Sequence, residues 1–202
     1  MLGGNIPFID NVEIQHLGAD GKAKPIFQEN KLGHWLIKKS LISPLWINRW
    51  YSFIFMPVMG QWNDRKIFRN GITDAGKAGV ASRINGSGAE AAFTSIGMGT
   101  GTTAFAAGNT ALETEKKADG TAASGVHALA TASVTVSRVT TTVTNDTAQL
   151  VGTVSYTATL AVTESGVFNA DTNGVLLARQ TFSAVNVVSG DSIQFTWKIK
   201  AA

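Results

Sequence analysis

Turn residues cut the stretch at 162–200, VTESGVFNADTNGVLLARQTFSAVNVVSGDSIQFTWKIK, into pieces that suit antiparallel strands and little else. A short strand carries Glu164. A tight turn at 169–174 follows, then an apolar run at 175–182. A Gly190-Asp191 turn leads into a last alternating strand at 193–199. Apolar or alternating runs separated by Gly, Asn and Asp are the sequence sign of hairpin-connected strands.

The same grammar extends upstream. Val134, Val136, Val139, Thr141 and Val143 mark one strand region, with a phase break near Arg138. Leu150, Val151, Val154, Tyr156 and Leu160 mark the next, with Asn145-Asp146 as the turn between them. Residues 93–98 (FTSIGM) read as a further strand, and Ile6, Phe8, Ile9, Val12 and Ile14 supply one or two short ones. About six short strands with turns every 8–14 residues or so predict an antiparallel β-sandwich or an open barrel.

One segment breaks the pattern. ITDAGKAGVASRI at 72–84 reads as a helix, with Thr73 as its N-cap and Asp74 favourable in the first turn. Ile72, Val80 and Ile84 fall near one face, and Asn85-Gly86 supplies the stop. Gly76 and Gly79 each weaken such a helix, so the expected compensation is a close approach to a sheet. The predicted fold is a mainly β sandwich with one packed helix.

Residues 1–69 differ in character and are expected to form an aromatic-rich, basic arm ahead of a sandwich module at 70–202. Residues 18–25 (GADGKAKP) read as a loop. Four of the five tryptophans, Trp35, Trp46, Trp50 and Trp62, lie in this part with Tyr51, Phe53 and Phe55. Such residues suit a local mini-core, an arm that docks on a neighbouring subunit, or a membrane-surface helix; aromatics and Arg favour interface cores. The interface expectation names Trp35, Trp46, Arg49, Trp50, Tyr51, Phe53, Phe55 and Trp62.

Composition sharpens the class. Charged residues are 15% of the chain, against about 25% in an average globular protein. A surface so poor in charge is tolerated best where partners cover it. Residues 1–70 hold nine Lys/Arg and five Asp/Glu, so the excess positive charge lies there. That is too little, and too scattered, for the basic face of a nucleic-acid binder. There is no Cys, which excludes disulfides and thiolate metal sites. The start lacks the pattern of a signal peptide. Pro44, Asn48, Arg49 and Pro57 interrupt the longest apolar stretch, 41–59, so no membrane span is expected.

Motifs for chemistry are sparse. Gly97, Gly99 and Gly101 give G-x-G-x-G, but Thr102 leaves the dinucleotide fingerprint incomplete and no helix pattern follows. His16, His34 and His127 lack metal-ligand spacing. Glu113, Glu115, Glu164, Asp171 and Asp191 are the carboxylates to weigh as a glycosidase pair, but Asp171 and Asp191 sit in turn contexts, where Asp commonly bonds its own backbone. Glu164 reads as a buried, hydrogen-bonded structural carboxylate. No catalytic residue, cofactor or metal site is expected.

Five segments in order resemble the N-terminal module of bacteriophage tail-collar and tail-fibre proteins. Thr73-Asp74-Ala75-Gly76 is similar to its "TNAG" helix start, with Asp for Asn. Gly99 and Gly101 match its "GxG" loop, and Thr110, Leu112 and Glu115 its "T-x-L-x-x-E" element. Glu164, Gly166, Val167, Phe168 and Asn169 match an "E-x-G-L-F/Y-D" strand, with Val for Leu and Asn for Asp. Gly174, Leu176 and Ala178 complete a "G-x-L-x-A" run. The resemblance spans residues 70–202, and the aromatic segment before it is foreign to the pattern. It implies a non-enzymatic virion protein, an adaptor or small appendage of tail or collar. Such a protein would be homo-oligomeric, with other virion subunits as partners and no direct contact with nucleic acid. A capsid decoration protein that clamps coat subunits is the alternative within the class. A carbohydrate-binding sandwich and a hydrolase are the alternatives outside it.

Overall fold

The computed structural model describes residues 9–29, 32, 60–69, 71–88 and 90–200. Their elements run β1 (Ile9–Leu17), β2 (Ile26–Glu29), β3 (Gly60–Asn63), β4 (Arg65–Arg69), β5 (Gly71–Ile72) and helix α1 (Asp74–Asn85). After these come β6 (Ser95–Gly99), β7 (Glu115–Lys116), β8 (Val134–Val139), β9 (Thr147–Ser155), β10 (Leu160–Phe168), β11 (Leu176–Val187) and β12 (Ser192–Lys200). One five-stranded antiparallel sheet has the order β4-β1-β12-β9-β8, a second has the order β5-β11-β10-β6-β7, and β2 and β3 form a two-stranded sheet. Among the described residues the fold is a mainly β sandwich with the helix α1, the class that the alternation predicts.

The core lies between the sheets. Along β12 the inward residues Ile193, Phe195, Trp197 and Ile199 alternate with half-buried polar ones. Val12 stands opposite Trp197, and Ile14 opposite Phe195. Leu150 of β9 continues the first of these rows, and Val154 stands opposite Ile193. The facing sheet supplies Ile96, Met98, Val162, Val167, Ala178, Val185 and Val187. Each large apolar side chain fully buried here stabilises the fold by about 1.5–3 kcal/mol.

The second sheet is covered on both faces. All five residues of β6 are buried, and so is β10 from Val162 to Phe168. Its far face carries Gly97, Gly99, Gly166, Glu164, Phe168 and Leu176, roofed by the segment at 100–114 and by α1. Leu112, Phe168 and Leu176 form a small apolar cluster of their own there. This makes three layers, with the roof packed where glycines leave room.

Helix α1 starts and stops as the sequence predicts. Thr73 is the N-cap, and its hydroxyl accepts from the Gly76 amide. Gly86 follows the last turn at φ 68°, a left-handed conformation that glycine adopts freely. The expected apolar stripe is corrected at one end: Ile72 and Val80 pack against the core, but Ile84 is 81% exposed, and the residues the helix buries are Gly76 and Gly79. A Cβ on Gly76 would lie 2.3 Å from the Leu177 carbonyl oxygen. Backbone meets backbone there, which an apolar side chain would prevent.

Three boundaries also differ. Leu160 belongs to β10, because β9 ends at Ser155. Strand β8 ends at Val139, and Val143 is exposed in the following loop. That loop wraps the Asp146 carboxylate, which accepts from the amides of Thr141, Thr142 and Val143. Finally, β1 and β4 are full members of the first sheet, so a division at residue 70 cuts through that sheet.

Candidate functional site

A buried polar arrangement surrounds Glu164, which is itself fully buried. Its Oε1 accepts from the amides of Gly101 at 3.0 Å and Thr114 at 2.8 Å. Oε2 accepts from the Glu113 amide at 3.0 Å and from Arg179 Nε at 2.9 Å. Arg179 Nη2 lies 2.9 Å from the same oxygen, an ionic contact outside hydrogen-bond geometry. Arg179 is itself buried, and its Nη1 donates to Asn109 at 3.3 Å.

Local sequence explains the placement. Arg179 stands opposite Gly166 on β10, and the space at Gly166 is filled by Leu176 and Leu112, whose Cδ atoms would lie 2.9 and 3.0 Å from a Cβ there. Gly99 is the cross-strand neighbour of Glu164 on the other side. A Cβ on Gly99 would fall 2.6 Å from Oε1, and one on Gly101 would fall 2.5 Å from it. The glycines of the G-x-G-x-G run thus make room for a carboxylate of the protein itself. Thr163 and Ser165, on either side of Glu164, donate their hydroxyls to the carbonyls of Gly101 and Gly97. The roof is stitched to the sheet by both backbone and side chain.

Glu113 lies at the rim of this centre, its Oε2 3.6 Å from Arg179 Nη2. Hydrogen bonds from the Thr103 hydroxyl and amide hold its carboxyl below the ordinary value, against a smaller opposing effect of burial. Chemically, the arrangement fixes a buried charge. Each Glu164 oxygen accepts from two fixed donors.

Three further clusters are polar. His127 is buried, stacks on Phe168 with ring centroids 3.7 Å apart, and bonds Glu115 Oε1 through Nδ1 at 2.7 Å. Asp171 Oδ1 accepts from the Ser95 hydroxyl and from the amide and hydroxyl of Thr131. The Ser95 hydroxyl is the largest of the causes that hold its carboxyl below the ordinary value. Asp191 is bonded by His16 Nε2 at 2.9 Å and by Lys24 Nζ at 2.6 Å, which ties β1 and its following loop to the β11–β12 turn. Burial pushes the Asp191 carboxyl up, but the bonds from Lys24, His16 and the Val188 amide outweigh it and hold it at about 2. Burial pushes His16 below its ordinary value, and the Asp191 carboxylate only partly offsets this.

The turn-only reading of two aspartates therefore changes. Asp171 reaches Ser95 and Thr131, and Asp191 accepts from its own turn at Val188 but also from His16 and Lys24. His16 and His127 lie in separate clusters, and His34 lies outside the described residues. Of the interface residues read from sequence, Trp62 is half-buried on β3, opposite Phe27 of β2. Trp35, Trp46, Arg49, Trp50, Tyr51, Phe53 and Phe55 lie outside the described residues. Sequence reasoning missed Arg179 as the counter-ion. The signal was there in LLARQTF, one cation inside an otherwise apolar run facing a strand that carries one carboxylate.

No protein-family model matches the chain, and no curated protein or solved structure matches it either.

Proposed function

We propose that this chain is a non-enzymatic structural component of a bacteriophage virion, an adaptor or small appendage of the tail or collar. The reading rests on the five resembling segments, and one observation carries it: segments far apart in sequence meet at one place. Thr73, which opens the helix-start motif, donates its hydroxyl to the Leu176 carbonyl of the last motif and accepts from the Gly76 amide. Gly101 of the loop motif and the Glu113 and Thr114 amides, within the third motif, bond Glu164 of the fourth. Leu112, Phe168 and Leu176 pack together. The shared letters are the internal joints of one module, which is the pattern of a scaffold rather than of a reaction centre.

The edges of the first sheet suit an assembled protein. β4 and β8 end that sheet, with Ile67 59% exposed on one and Val136 54% exposed on the other. Long edge strands with exposed apolar residues are a hazard in a free monomer, and neighbouring subunits remove it. Partners in this reading are other virion proteins and further copies of the chain. Peptide mass spectrometry of purified particles, with electron microscopy of particles bearing a labelled chain, tests it. Density at the tail or collar is expected. Density on the capsid shell moves the protein to the decoration alternative, and absence from the particle overturns the proposal.

A further inference from the structure

Three Asn-Gly dipeptides occur in the chain, at Asn70-Gly71, Asn85-Gly86 and Asn173-Gly174. This pair is the one most open to attack of the following backbone nitrogen on the side-chain amide, because glycine places no side chain beside the reacting atoms. The structure separates the three. Gly71 lies under the Phe105 ring, 2.1 Å from the position its Cβ would take. Asn173 is held at Gly125: its amide donates to the Gly125 carbonyl at 2.8 Å, and its Oδ1 would lie 2.0 Å from a Cβ there. A Cβ on Gly174 would meet the Ala170 nitrogen at 2.8 Å. Gly86 has nothing within 4 Å of its Cβ position.

We infer that Asn85 is a site of spontaneous modification, in which its amide closes on the Gly86 nitrogen to a succinimide and opens to aspartate or isoaspartate. Asn85 is exposed and is the last residue of α1, where helices open most readily. The Ser87 amide donates to Asn85 Oδ1 at 2.9 Å. This bond folds the side chain back over the peptide that must attack it, and it polarises the carbonyl. In the step, the Gly86 nitrogen gives its proton to a solvent base and bonds to Asn85 Cγ. The Cγ–Nδ2 bond breaks, and Nδ2 takes a proton from water and leaves as ammonia. Water then opens the ring at either carbonyl, and no atom changes oxidation state. The product places a negative charge at the helix C-terminus, where the backbone carbonyls disfavour it.

Tryptic cleavage at Arg69, Lys77, Arg83, Lys116, Arg138 and Arg179 places the three pairs in separate peptides. The test is to hold the full chain, folded, at mildly alkaline pH and to follow each peptide by mass spectrometry. The same incubation in denaturant gives the rates of the open chain. Folded protein is expected to convert the 84–116 peptide severalfold faster than the 139–179 peptide, while denaturant brings the two together. Asn85→Gln is expected to abolish conversion of the 84–116 peptide. Equal rates in the folded protein, or conversion that survives Asn85→Gln, overturn the assignment.

Discussion

Arg179 Nε donates to Glu164 Oε2 at 2.9 Å across the β10–β11 hairpin, and neither side chain is more than 1% exposed. Removing Glu164 leaves buried Arg179 with only the part-exposed Glu113 at 3.6 Å, and breaking such a buried pair costs about 3–5 kcal/mol. Glu164→Ala is therefore expected to lower the unfolding free energy by that amount in urea titration. Glu164→Gln keeps the shape and one carbonyl acceptor and is expected to lose less. Because the pair acts as a unit, Glu164→Gln with Arg179→Met is expected to cost less than the two single changes summed. Parent-like stability of Glu164→Ala would falsify this account.

Gly76→Ala sets two effects against each other. Alanine is better than glycine in a helix by about 0.8–1 kcal/mol. Its Cβ would meet the Leu177 carbonyl oxygen at 2.3 Å, and such overpacking costs about 1–3 kcal/mol or more. Net destabilisation is expected in thermal melting. Stabilisation would mean that the helix does not sit on β11 as described.

Thr73 caps the helix and also bonds the carbonyls of Leu176 and Leu177. Thr73→Ala is expected to cost about 1–2 kcal/mol, read as a lower denaturation midpoint. Thr73→Ser retains the hydroxyl and is expected to restore most of it.

Acid stability follows from His16 and Asp191. Both have folded values below their unfolded ones, so the unfolded chain takes up more protons on acidification. Each therefore contributes stability that is present at higher pH and lost as pH falls. For His16 the loss begins below its ordinary value of 6.5. For Asp191 it runs between the ordinary 3.8 and about 2. Denaturation midpoints measured against pH should show Asp191→Asn less stable than the parent near neutrality, with a shallower loss in the acid limb. Parallel profiles would sink this reading.

Much of the sandwich was legible because its signals are local. The alternation of β12 in sequence is the alternation of its burial. Thr73 and Gly86 announced both ends of α1 through capping chemistry that spans a few residues. The division at residue 70 failed for the opposite reason. Composition changes there, but β1 and β4 belong to a sheet whose central strand lies far along the chain, and no local pattern reports such pairing. The apolar face assigned to α1 held for Val80, which packs against the core, and not for the exposed Ile84, while the close approach expected of the helix glycines is made by Gly76 on β11. At the Glu164 centre the carboxylate was legible as structural. Its partners were not, since three of its bonds come from backbone amides of a roof segment whose path depends on the whole fold.

The position of β12 sets the order of events during synthesis. β12 is the bridge between β1 and β9 in the first sheet. A ribosome must therefore complete residues through Lys200 before Ile9–Leu17, which pairs on its other side with the nearby Arg65–Arg69, finds its second partner strand. Until then one edge of β1 is open, Val12 and Ile14 lack the neighbouring Trp197 and Phe195, and pairing so distant in sequence closes slowly. The interval is one of exposure to aggregation and to chaperones. Its length is set by translation speed as much as by the folding of the sandwich itself.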